Sequence, residues 1–180
     1  KTEFKKHHEN DFVDRSKKIL IISARLNDFI IHCCIAIMLK KKGHKVTILI
    51  ENIHKKKNKY KNNQIKQILY YVRNMSITIE ENNKKKVSKS LISKKINNKI
   101  LRQSEEDLQR ISKNPILNLN KFNQKKEFKA ITKSNTQFAI RFNSFIRKNK
   151  FDTHIIDSGS WAQYGIAFSI LREMNKTVTC

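Results

Sequence analysis

A polar leader, residues 1–17, gives way to four consecutive apolar residues, Ile19-Leu20-Ile21-Ile22. So short and continuous a run, without polar alternation, is the pattern of a strand covered on both faces. Phe29, Ile30, Cys33, Ile37 and Met38 then recur at helical spacing until Gly43, where a left-handed backbone can end a helix. The β-branched run Val46-Thr47-Ile48-Leu49-Ile50 predicts a second strand. Strand, helix and strand therefore fill residues 18–51, and a crossover through one helix joins parallel strands in a right-handed sense.

Residues 54–63 are basic, Asn-rich and without periodicity, the pattern of a solvated loop, and Ile65, Ile68, Leu69 and Val72 then predict a helix. Ile77-Thr78-Ile79 reads as a third strand. Val87, Leu91, Ile96, Ile100, Leu101, Leu108 and Ile111 predict a long lysine-decorated helix that stops before Pro115. A second long helix carries Phe128, Ile131, Phe138, Phe142 and Phe145 at three-four spacing, a single stripe whose aromatics serve core packing rather than base stacking. The opening pattern returns at the end, with a strand over 154–156, a loop over 157–161, a helix over 162–174 and a strand over 177–179. The fold class this predicts is α/β, a Rossmann-like three-layer sandwich of about five mostly parallel strands with helices on both faces. Residues 18–180 form one such domain, with 55–149 a helical, lysine-rich segment that reads as insertion-rich.

Composition bears first on the charge. Lys and Arg number 39 against 15 Asp and Glu, a net charge of +24, which ordinarily points to a polyanionic partner. Most of it is Lys, however, and the chain is also rich in Asn and Ile while holding 3 Gly and 1 Pro. That joint enrichment is the mark of an A/T-rich coding sequence, in which Lys fills solvated helix positions at little cost. The charge then reads as scattered rather than aimed. A real anionic partner is the competing reading, with membrane headgroups and sugar phosphates as candidates beside nucleic acid.

Cys33, Cys34 and Cys180 offer neither a disulfide framework nor metal-ligand spacing, which suits a reducing cytosol. His7, His8, His32, His44, His54 and His154 show no ligand spacing with carboxylates or thiols, so no metal is expected. The longest apolar stretch, residues 29–39, contains His32 and stops at Lys40, too short to span a bilayer. The chain starts with Lys and stops on a strand-like segment, which suggests a piece of a longer protein.

Glycine-dependent phosphate motifs are missing: Ser23-Ala24-Arg25-Leu26-Asn27-Asp28 follows the first strand with neither G-x-G-x-x-G nor G-x-x-x-x-G-K. The segment Leu39-Lys40-Lys41-Lys42-Gly43-His44-Lys45-Val46-Thr47 is a helix end, a Gly-His turn and a Val-Thr strand entry. It resembles the amino-terminal domain of GT-B glycosyltransferases, as does the strand, loop and helix of residues 151–180, where Asp157-Ser158-Gly159-Ser160 leaves the strand's carboxyl end. Residues 55–149 carry no such resemblance.

The resemblance implies an acceptor-side domain, with a second, carboxyl-terminal Rossmann-like half holding the nucleotide-sugar donor, no other cofactor, and no activity in this half alone. It also implies a catalytic base at the start of the first helix, a position that falls on Asp28. A carboxylate there can take the proton of an acceptor hydroxyl, although Asn27 or Asp28 can equally cap the helix. Arg25, Asn27, Asp157, Ser158, Gly159, Ser160 and Trp161 are the substrate-binding candidates, because open α/β sheets bind ligands beyond their strands' carboxyl ends. Trp161 could stack on a sugar or pack over the sheet edge, and Ser158-Gly159-Ser160 could equally be a turn that feeds the next helix.

The expected function is transfer of a sugar to a glycan or glycolipid acceptor, in the cytoplasm or peripherally at the inner face of the membrane. The alternative is a non-enzymatic nucleic-acid-binding protein whose basic segments 55–61 and 84–99 track phosphates, with steeply salt-dependent binding.

Overall fold

The alternation of strand and helix along the chain is carried into the folded molecule. The structure, a computed structural model, describes residues 16–24, 26–51, 59–81, 92–157 and 162–180. In chain order the elements are β1 (Lys18–Ser23), α1 (Leu26–Lys41), β2 (Lys45–Ile50), α2 (Lys59–Asn74), β3 (Thr78–Glu81), α3 (Lys94–Ser112), α4 (Phe122–Lys148), β4 (Thr153–Ile156), α5 (Ala162–Glu173) and β5 (Val178–Thr179). The strands form one sheet in the order β3-β2-β1-β4-β5, and every pairing is parallel. The chain winds outward from β1 to β3, returns to the other side of β1, and winds outward again. This is the Rossmann-like sandwich that the apolar pattern predicts.

Alternation of side chains along each central strand splits the core in two. Ile19 and Ile21 of β1 meet Phe29, Cys33 and Ala36 of α1 and Leu69 and Val72 of α2 on one face. Leu20 and Ile22 meet Ile96 and Ile100 of α3, Phe138, Phe142 and Ile146 of α4 and Tyr164, Ile166 and Ile170 of α5 on the other. The predicted phenylalanine stripe is thus a packing device, with the rings of Phe138 and Phe142 stacked 5.5 Å apart. The helices α3 and α4, from the segment that reads as insertion-rich, supply most of one helical layer. A buried polar tie joins them: Asn135 Nδ2 donates to Ser104 Oγ at 3.1 Å and to Asp107 Oδ2 at 3.3 Å.

Three helix-to-strand corners share one hydrogen-bond pattern. Gly43 N–H donates to Lys40 O and His44 N–H to Leu39 O. Ser76 and Ile77 repeat this onto Arg73 and Val72, and Asn175 and Lys176 onto Arg172 and Leu171. Each corner needs a left-handed residue, with φ of 88° at Gly43, 56° at Ser76 and 52° at Asn175. Only the first uses glycine, so the sequence signalled that corner and left the other two unmarked.

Several boundaries differ from the sequence reading. The helix α1 opens at Leu26, which places Asn27 and Asp28 inside its first turn rather than at its cap. Residues 59–63, expected as loop, are already helical in α2, and the third strand lies at Thr78–Glu81 rather than 77–79. The helix expected from Val87 is described from Lys94, where the Ser93 hydroxyl caps it by accepting from Ile96 N–H at 3.2 Å. Val87 and Leu91 lie outside the described residues.

Candidate functional site

In a parallel sheet, a crevice opens at the carboxyl edge where neighbouring strands send their connections to opposite faces. Here that point lies between β1 and β4, since α1 packs on one face and α5 on the other. Two predicted site residues converge there. Asp28 stands in the first turn of α1, where the helix's unpaired N–H groups favour negative charge, and Asp157 follows directly on β4. Both line a cavity of about 200 Å³ together with His32, and Ile31, Ile35 and Ile155 form its apolar wall.

One hydrogen-bond relay holds the edge together. Ala24 N–H, just past β1, donates to the Tyr164 hydroxyl oxygen at 2.9 Å, and that hydroxyl donates to Asp28 Oδ2 at 2.9 Å. Tyr164 is fully buried in the first turn of α5. Burial raises its pKa, the hydrogen bond and negative charge of Asp28 raise it further, and the Ala24 amide offsets only part of this. The hydroxyl therefore keeps its proton and stays a donor, fixing one oxygen of the Asp28 carboxylate.

His32 lies one helical turn beyond Asp28, on the same side of α1. It is 4% exposed, and Nδ1 has no hydrogen-bond partner among the described residues. Burial lowers its pKa, and the negative charges of Asp28 and Asp157 counter this only in part. A neutral imidazole thus sits between two carboxylates and can exchange hydrogen bonds with a ligand as donor or acceptor.

On the other flank Arg141 of α4 reaches Glu51 at the end of β2, Nη2 to Oε1 at 2.8 Å, with both side chains largely buried. The backbone N–H of Glu51 donates to Ser23 O, so the pair is pinned to the ends of β1 and β2. The Ser23 hydroxyl is buried there without a hydrogen-bond partner among the described residues. The edge therefore presents carboxylates, a neutral imidazole and hydroxyls.

A larger cavity of about 400 Å³ lies among α3, α4 and α5 near the opposite edge, where α4 and α5 end before entering their strands. Its polar groups are occupied with one another: Ser93 Oγ donates to Glu173 at 2.9 Å and Arg147 Nε to Asn143 at 3.4 Å. Size alone does not make it the better site.

Of the predicted site residues, the structure brings Asp28 and Asp157 to one cavity and places Asn27 on the first turn of α1. Arg25, Ser158, Gly159, Ser160 and Trp161 lie outside the described residues. The sequence reading missed His32, Tyr164 and the Glu51–Arg141 pair. The four-residue step from Asp28 to His32 was the available signal for the first, because it aligns them on one helix face. Tyr164 gave none, being one apolar-stripe residue among others in α5. No known protein-family model matches the chain and no curated protein matches it, so the site is read from its own geometry.

Proposed function

We propose that the chain is the acceptor-side domain of a GT-B-type glycosyltransferase, which moves a sugar from a nucleotide-sugar donor to a hydroxyl of a glycan or glycolipid in the cytoplasm. The observation that carries this reading is the Asp28 carboxylate, held by a buried tyrosine at the carboxyl edge of a Rossmann-like sheet and beside a cavity with an apolar wall. On this reading the donor is held by a second Rossmann-like domain outside these 180 residues, and the chain alone binds acceptor without turnover.

Asp28 is the general base. Its carboxylate takes the acceptor hydroxyl's proton as that oxygen bonds to the anomeric carbon, and the nucleoside diphosphate leaves with the electron pair of the broken glycosyl–phosphate bond. Tyr164 is a positioning residue, since it keeps the carboxylate turned toward the crevice. Ile31, Ile35 and Ile155 can pack on the apolar face of a sugar ring, while Asp157 and His32 accept from or donate to its hydroxyls.

Ligand-observed NMR with a panel of neutral oligosaccharides and glycolipid headgroups tests this directly. A member of the panel should bind the 180-residue chain, and Asp28→Asn or Tyr164→Phe should weaken it by about tenfold, the scale of one hydrogen bond to a charged group. Submicromolar binding of duplex DNA or RNA at physiological salt, indifferent to Asp28, would instead establish the nucleic-acid reading and sink this one.

A further inference from the structure

The helix α1 is apolar on both sides. Between Asp28 and Lys40 it carries no charged residue, in a chain where 30% of residues are charged. Phe29, Cys33 and Ala36 face the sheet and explain one side. They do not explain Ile30, Ile31 and Met38, which point the other way and are 48%, 60% and 63% exposed. A helix that is apolar all round normally has a second partner.

Further exposed apolar groups stand on α2, which packs beside α1 in the same layer. Tyr70 and Tyr71 are 65% and 69% exposed there, with their rings edge to face at 6.2 Å. Five of the eight large exposed hydrophobic side chains among the described residues thus belong to these two helices. Lys41 and Lys42 at the end of α1, and Lys66 and Arg73 of α2, are exposed around them. Apolar anchors, tyrosines that suit an interface with one dry and one wet end, and a cationic fringe are the combination that a membrane surface rewards.

We propose that the outward face of the α1–α2 layer docks on an anionic lipid bilayer. Ile30, Ile31 and Met38 enter the acyl boundary, Tyr70 and Tyr71 lie at headgroup level, and the lysines meet lipid phosphates. The contact is peripheral, because no helix among the described residues is long and apolar enough to cross a membrane. A second copy fits the patch poorly, since it would bring two chains of net charge +24 together along their basic fringes. The proposal does not need the transferase reading, although Ile31 belongs to both, since it is exposed on α1 and also lines the cavity beside Asp28. Were both to hold, α1 would place its carboxylate-bearing first turn next to the surface from which a glycolipid acceptor projects.

Cosedimentation with phosphatidylcholine vesicles, with and without phosphatidylglycerol, provides the test. Binding should require the anionic lipid, and Ile31→Asn combined with Met38→Asn, which removes no charge, should lower the partition coefficient by about tenfold or more. Lys41→Gln with Lys42→Gln should lower it by about thirtyfold, whereas Ile111→Asn with Ile116→Asn, exposed apolar positions outside the patch, should leave it unchanged. Unchanged melting temperatures verify that the variants fold. Three results would each overturn the proposal: no vesicle binding, binding indifferent to Ile31 and Met38, or a dimer in sedimentation equilibrium that the Ile31/Met38 variant dissolves.

Discussion

The two helical layers cover the same sheet by different means. In the α3–α5 layer the long helix α4 divides its residues cleanly, since Phe138, Phe142 and Ile146 point inward and Lys125, Lys126, Lys129 and Lys133 stand in solvent, while α3 leaves Leu101 and Ile111 outside. The α1–α2 layer keeps an equally apolar inner face but leaves Ile30, Ile31, Met38 and two tyrosines outside. Since α4 shows that a helix of this protein can cover the sheet with a polar back, the fold does not require the apolar back of α1. What the fold needs and what the surface carries are separable, and the surplus on α1 belongs to something other than stability.

The sharpest way to break that contrast is to remove one buried and one exposed apolar side chain. Phe142→Ala should cost about 3–5 kcal/mol in urea unfolding, from lost burial plus the cavity left in α4's layer. Ile31→Asn should stay within about 0.5 kcal/mol of the parent. A large loss from Ile31→Asn would show that the back of α1 is structural after all.

Acid probes the two sides of the sheet through one histidine each. His32 on α1 and His154 on β4 are both buried, and burial lowers both pKa values below the ordinary 6.5. For His154, a hydrogen bond to Thr177 O at 2.9 Å opposes that shift and the nearby Lys176 charge adds to it. A lowered folded pKa means that the unfolded chain takes up protons first. Stability from these two groups is complete above about pH 6.5 and is lost as the pH falls through that value toward the lower folded pKa. Melting temperature against pH should show this decline, and His32→Gln should flatten part of it without touching the part due to His154.

The smallest effect concerns the corners. Ser76→Gly relieves a left-handed serine in the α1–α2 layer and should stabilise by about 1 kcal/mol, measured by thermal unfolding. Gly43→Ala should do the reverse: open space surrounds the position, so only its φ of 88° opposes a side chain.

The same comparison shows what could be read from sequence. Ile19–Ile22 and Val46–Ile50 declared themselves because central strands are apolar on both sides, and the Gly43 corner because glycine marks it. The phenylalanines of α4 declared a buried stripe through their spacing. The corners at Ser76 and Asn175 were unmarked, since backbone hydrogen bonds impose their left-handed residue without a distinctive side chain. At the site, Asp157 was legible as a carboxylate beyond a strand end, a matter of topology, and Asp28 through the resemblance that points to the start of the first helix. Tyr164 and the Arg141–Glu51 pair were not, because each is a meeting of residues far apart in the chain that only the finished sheet brings into reach.

The bond from Tyr164 to Asp28 joins positions separated by 136 residues. During synthesis, β1, α1 and β2 emerge long before α5, so this hydrogen bond forms only once α5 has been made and docked against the sheet. The Tyr164 contribution to the orientation of Asp28 is therefore a late event in the life of the chain, and a truncation that removes α5 would take away both that hydrogen bond and part of the apolar layer against which Leu20 and Ile22 pack.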